Sequence, residues 1–145
     1  QAYHWFDHDS FCAEVKRVLR RDGALVVWSY GVTEITPEID AVMMRLYSDI
    51  VGPYWPPERR HVENRYQSLP FPFKETGAPG FDMTAEWTFA DLLGYFATWS
   101  STQRYIDAHG SDPLDLVRDD CAEAWGDPQA RRVVRWPLIF RVGRV

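Results

Sequence analysis

The chain has 145 residues, enough for one domain with a substantial core. Nearly half of them are apolar and 15% are aromatic, which excludes a disordered, highly charged chain. A net charge of −5 argues against a nucleic-acid surface, and no apolar run approaches the roughly 20 residues of a membrane span.

Residues 9–20 read as a helix, with Phe11, Val15, Val18 and Leu19 on one stripe. Asp9 or Ser10 can cap its start, and Arg17, Arg20 and Arg21 suit its C-terminal dipole. Asp22-Gly23 forms the turn. The run Ala24–Tyr30 is short, apolar and rich in β-branched and aromatic residues. It reads as a strand covered on both faces, as in a parallel sheet flanked by helices. This helix–turn–strand order is an α/β unit.

A second helix is expected over 37–51, opened by Pro37, with Ile39, Val42, Met43, Leu46 and Ile50 on one face. Residues 53–73 hold five prolines and many aromatics, and read as a long functional loop. Phe81–Thr88 alternates like a strand. Phe89–Trp99 is an amphipathic helix with Leu92, Leu93, Phe96 and Trp99 inward, followed by a polar helix over 101–109. Pro113 opens another helix to about Trp125, and Gly126-Asp-Pro128 breaks it. Val133–Val142 reads as a terminal strand, apolar on one face and basic on the other. Arg131, Arg132 and Arg135 fit a solvated strand face. His8, His61 and His109 have no partner at metal-ligand spacing and read as surface residues. Cys12 and Cys121 fall in helices, where two buried thiols are the default and a disulfide is the alternative.

The passage Glu14-Val-Lys-Arg-Val-Leu-Arg-Arg-Asp-Gly-Ala-Leu resembles the E-x-x-R-V-L-(K/R)-P-G-G-x-L passage of class I S-adenosylmethionine-dependent methyltransferases. Arg21 stands where Pro is usual and Asp22 where the first Gly is usual; an Asp-Gly turn can serve the same geometry. Gln1-Ala-Tyr-His-Trp-Phe-Asp7 is similar to the Q-A-x-H-W-F-D passage of a subset that includes trans-aconitate and related small-molecule methyltransferases. Gly52–Arg59, Leu69–Phe73, Tyr95–Ser100 and Trp136-Pro-Leu resemble the same subset.

The resemblance implies an α/β fold: the C-terminal part of a doubly wound, Rossmann-like sheet. Residues 1–145 would supply strands five, six and seven, the last antiparallel, with 53–73 covering substrate and 89–125 as a helical insertion. Strands one to four, and the glycine-rich turn that grips S-adenosylmethionine, would be absent. Gln1 is not an initiator Met, consistent with a chain cut from something longer. The resemblance implies a cytoplasmic enzyme, with a small-molecule substrate and no nucleic-acid or membrane partner. The exposed edge of strand five allows a homodimer.

Site roles follow from the same resemblance. Gln1, Ala2 and Trp5 stand at the cofactor rim, where an aromatic face suits a sulfonium. His4 orients substrate or acts as a base; the alternative for His4 and Trp5 is packing at the start of the next helix. Tyr30 closes its strand at the carboxyl end and could face substrate or water. Trp55, Arg59 and Tyr66 lie in the covering loop. Arg59 could clamp a carboxylate or pair with Glu58 or Glu63. Trp99 is a further substrate-binding candidate, with core packing as its alternative. The competing reading is a non-catalytic partial fold that binds a ligand or dimerises.

Overall fold

The computed structural model describes residues 1–145. Its elements are α1 (His8–Val18), β1 (Ala24–Tyr30), α2 (Pro37–Met44), α3 (Arg59–Glu63), β2 (Lys74–Thr76), β3 (Asp82–Trp87), α4 (Phe89–Ala97), α5 (Ser100–His109), α6 (Arg118–Trp125) and β4 (Arg132–Arg144). The chain divides into two compact units. The first comprises 1–32, 57–83 and 136–145; the second comprises 33–56 and 84–135.

In the first unit β4 lies between β1 and β2 and is antiparallel to both. Trp28 faces Phe140 across the ladder and Lys74 faces Arg144. The expected strand β1 is present, but only one of its faces is covered. Val27 and Ser29 are buried, whereas Val26 and Trp28 on the opposite face are half exposed. Successive side chains of a strand point to opposite faces, so covering one side leaves the other apolar set in solvent. β2 was not anticipated; three exposed residues carry no apolar pattern to find it by.

β4 also departs from the expected apolar and basic faces. Val134 and Trp136 are buried, then the parity shifts at Pro137-Leu138, so that Ile139, Arg141 and Gly143 are buried. The basic residue Arg141 therefore sits on the inner face. Its guanidinium donates to the carbonyls of Tyr66 (2.7 Å) and Leu69 (2.9 Å), pairs with Glu75 of β2, and lies 4.5 Å from the centre of the Phe71 ring. Tyr3, Val27, Val62, Tyr66, Leu69 and Phe71 form the buried apolar cluster of this unit. The expected loop 53–73 thus supplies much of this core from residue 62 onward. Gly143 fits beneath the same aromatics: a Cβ there would come within 2.6 Å of Phe71 and Phe73.

α1 begins one residue earlier than expected. Asp7, rather than Asp9 or Ser10, caps it by accepting from the Ser10 amide. Val18 leaves the expected stripe and is exposed; Cys12 and Val15 are the buried positions. The turn into β1 places Asp22 at φ 62°, the left-handed conformation that explains why glycine suits this place.

The second unit is mainly helical. Thr36 caps α2, which continues as a π-helical segment over Arg45–Ile50 where one α-helix was expected. α2 packs against α6. Thr88 and Asp91 form a reciprocal capping box at α4. The expected helix to Trp99 stops at Ala97, and Trp99 stands just before α5. The expected helix from Pro113 opens as a 3-10 turn (Pro113–Leu116) before α6. Arg131 and Arg132 are bound to the carbonyls of Glu86 and Trp125, and Arg135 pairs with Glu34. Cys12 and Cys121 are both free and buried, one in each unit. No helix is long and apolar enough to cross a membrane.

Arg141→Met is expected to lower unfolding free energy by about 3 kcal/mol in urea denaturation, because it strands two buried carbonyls. Glu75→Gln is expected to cost less than about 1 kcal/mol, because that carboxylate is half exposed. Equal costs would show that the ion pair, not the carbonyl contacts, holds the segment.

Candidate active site

The titratable groups of interest converge in the first unit, behind the carboxyl end of β1. Residues Tyr3–Trp5 form a 3-10 turn. Two contacts lay Gln1 along the edge of β1 away from β4. The Gln1 amine donates to the Trp28 carbonyl (2.9 Å), and its side-chain amide donates to the Tyr30 carbonyl (3.1 Å). Tyr3 anchors the turn from below. It is buried, donates its hydroxyl to the Pro70 carbonyl, and packs edge-on against Phe11, Tyr66 and Phe71. Burial pushes its hydroxyl pKa up to about 12, so it remains a donor throughout the working pH range.

His4 projects from this turn. Its Nδ1 is 3.0 Å from the Tyr66 hydroxyl, and its ring stacks obliquely on Trp5 with centroids 4.8 Å apart. Burial, followed by the positive charge of the Gln1 amine, of His61 and of Arg59, pushes the His4 pKa below its ordinary value, against a smaller opposing pull from Glu58. His4 is therefore a neutral imidazole at pH 7. Tyr66 is fully enclosed, and burial raises its pKa. It occupies a left-handed backbone conformation (φ 59°) directly after Arg65 (φ 53°). Its amide is bound to the His61 carbonyl (2.7 Å) and its own carbonyl to Arg141 (2.7 Å).

The expected site residues are thus distributed as follows. Gln1, Ala2, His4, Trp5, Tyr30, Arg59 and Tyr66 all belong to the first unit. His4 and Tyr66 touch. Arg59, the first residue of α3, is close enough to both to bias their ionisation. Trp5 is largely exposed (58%), as is Ala2, and Tyr30 is half-buried. Trp55 and Trp99 belong to the second unit, where they pack against each other (5.6 Å) and against Tyr47. The Trp55 indole donates to the Tyr47 carbonyl (3.1 Å), and Trp99 is 9% exposed.

The histidines expected at the surface have local partners. His61 is bound to Ser68, His109 to Tyr54, and His8 packs edge-on against Tyr3. No group of three or more metal-ligating side chains comes together.

Two residues of this cluster escaped the sequence reading. Ser29 is fully buried on the inner face of β1 and its Oγ has no hydrogen-bond partner. Arg141 holds the Tyr66 backbone. Both are polar residues inside apolar runs, and that interruption is the signal by which they could be found.

No family model matches the sequence. The chain is 32% identical over 128 residues to a candidate methyltransferase of Dictyostelium discoideum, a match that spans 86% of this chain and 49% of the relative. It also superposes, with a TM-score of 0.94 and 43% identity, on the solved structure of a candidate type II methyltransferase from Anaeromyxobacter dehalogenans. That superposition covers 99% of this chain and 61% of the other. The mixed α/β fold with its antiparallel sheet is the fold of the matched part of that protein. The chain spans about half the length of the curated relative it matches.

Because the folded state holds His4 with a lowered pKa, the unfolded chain takes up the proton more readily. The His4 contribution to stability is complete above pH 6.5 and is lost as pH falls from there through the folded-state midpoint. An NMR titration of the His4 ring is expected to give a midpoint below 6.5. A midpoint at or above that value would contradict the buried environment.

Proposed function

We propose that this chain is the substrate-covering part of an S-adenosylmethionine-dependent methyltransferase acting on a small organic molecule. The observation that carries the reading is the 43% identity and near-complete superposition on a candidate methyltransferase. The sheet order, with β4 antiparallel between β1 and β2, supports the reading of a doubly wound sheet that ends in an antiparallel strand. The likeness of Gln1–Asp7 to the trans-aconitate methyltransferase subset narrows the substrate to a small molecule.

The residues present suit such a cofactor at its rim: Trp5 offers an exposed aromatic face to a sulfonium, and Gln1 and Ala2 lie beside the carboxyl end of β1. Bound S-adenosylmethionine would supply the activated methyl group. The chain's own residues would hold and shield the acceptor. His4 orients the acceptor or takes its proton. Arg59 clamps an anionic group on the substrate, and Tyr30 lines the strand end.

The test is methyl transfer from S-adenosylmethionine by the full-length gene product, against a panel of small organic acids, amines and phenols. Transfer to one class supports the proposal, and no cofactor binding with no transfer would sink it. In an active protein Arg59→Ala is expected to raise KM by about tenfold or more with the fold unchanged, since a charge-assisted pair is worth roughly 1.5–3 kcal/mol. An unchanged KM removes Arg59 from the site.

The second reading, a non-catalytic dimerising module, draws on the half-exposed Val26 and Trp28 of β1. It predicts a dimer in sedimentation and no methyl transfer.

A further inference from the structure

The proposed function leaves two roles open for His4, and the hydrogen bond behind it decides between them. Two polar side chains meet within the first unit: the enclosed Tyr66, and His4 on the opening turn. The His4–Tyr66 contact can run either way. If His4 Nδ1–H donated to the tyrosine oxygen, the enclosed tyrosine proton would be left without an acceptor. In the opposite direction Tyr66 donates to Nδ1 and its buried proton is satisfied. A stranded buried donor costs more than a spare lone pair on a hydroxyl. The raised pKa of Tyr66 agrees with a hydroxyl that keeps its proton.

We propose that Tyr66 locks His4 as the neutral tautomer protonated at Nε2, so that His4 meets the acceptor substrate as a hydrogen-bond donor and not as a base. This rests on the methyltransferase reading. His4 is then the group that touches substrate, and Tyr66 is a positioning residue that acts through it. The methyl-transfer step balances without His4 taking a proton. The acceptor's lone pair forms the bond to the methyl carbon, the carbon–sulfur bond breaks, and its electron pair stays on the neutral thioether. Any proton on the acceptor leaves to solvent. The lock also assigns a purpose to the left-handed backbone at Tyr66, which aims the hydroxyl at Nδ1, and to Arg141, which holds that backbone through its carbonyl.

The direct test is the tautomer of His4, read from ring nitrogen shifts in two-bond 1H–15N spectra well above its titration midpoint. The wild-type chain is expected to be protonated at Nε2 alone. Tyr66→Phe is expected to give a mixture and to raise the His4 midpoint, because the group that favoured the neutral ring is gone. A wild type protonated at Nδ1, or a Tyr66→Phe spectrum identical to wild type, overturns the lock.

The second arm uses the full-length protein, with S-adenosylmethionine and whichever acceptor it methylates. A donor still donates when protonated, so kcat/KM should hold as pH falls through the His4 midpoint; a base would lose activity there. The charged groups of neighbouring elements that face His4 in this protein are His61, Arg59 and Glu58. His4→Gln, which keeps an N–H at a similar reach, should remain within about tenfold of wild type. His4→Ala should lose about a hundredfold in kcat, the usual scale for one transition-state donor. Activity that falls with protonation of His4, or His4→Gln as poor as His4→Ala, overturns the donor role. If the full-length protein transfers no methyl group, the functional reading fails, while the tautomer measurement still decides the lock.

Discussion

The first unit depends on a buried cation. Arg141 stands on the covered face of β4, where an unsatisfied guanidinium would be prohibitively costly. Four of its five N–H groups converge on two carbonyls of the 66–69 segment and on the Glu75 carboxylate, with the Phe71 ring close to its guanidinium carbon. In meeting its own needs the arginine fixes where the chain between α3 and β2 must run. The fork geometry matters here more than the charge, since a lysine could not reach both carbonyls and the carboxylate in one plane. Gly143, two residues on and on the same face, completes the arrangement by leaving room for Phe71 and Phe73.

The sequence exposed the framework well and the interior poorly. α1, the Asp22-Gly23 turn, β1, α4, α5 and β4 are where periodicity and turn chemistry put them, within a few residues. Those signals are local: an apolar stripe, a cap, a glycine that stops a helix. What stayed hidden depends on long-range pairing. β2 is three polar residues whose only reason to be a strand is the neighbouring β4. The one-sided burial of β1 depends on what covers it, which its own composition does not encode. The parity shift at Pro137-Leu138 turns Arg141 inward, against the reading of a basic outer face. The segment 53–73 looked like a loop because its prolines conceal the core role of Val62, Tyr66, Leu69 and Phe71.

The site shows the same division. His4 and Tyr66 were both marked from the sequence, one by a motif and one by its place in an aromatic segment. Their contact spans 62 positions and could not be read from either neighbourhood. Ser29 was overlooked inside Ala-Leu-Val-Val-Trp-Ser-Tyr because apolar neighbours made it look like strand filler. The similarity to two candidate methyltransferases concerns about half to three-fifths of their lengths, so it bears on this part of the fold and on the residues that lie in it.

Arg65 and Tyr66 both sit in the left-handed region without being glycine, at a cost on the order of 1–2 kcal/mol each. Such conformations persist only where the surroundings over-determine them. Here the protein spends folding stability to aim one hydroxyl. The segment is therefore held against its own backbone preference by Arg141, so that losing this latch would free the Tyr66 hydroxyl from His4.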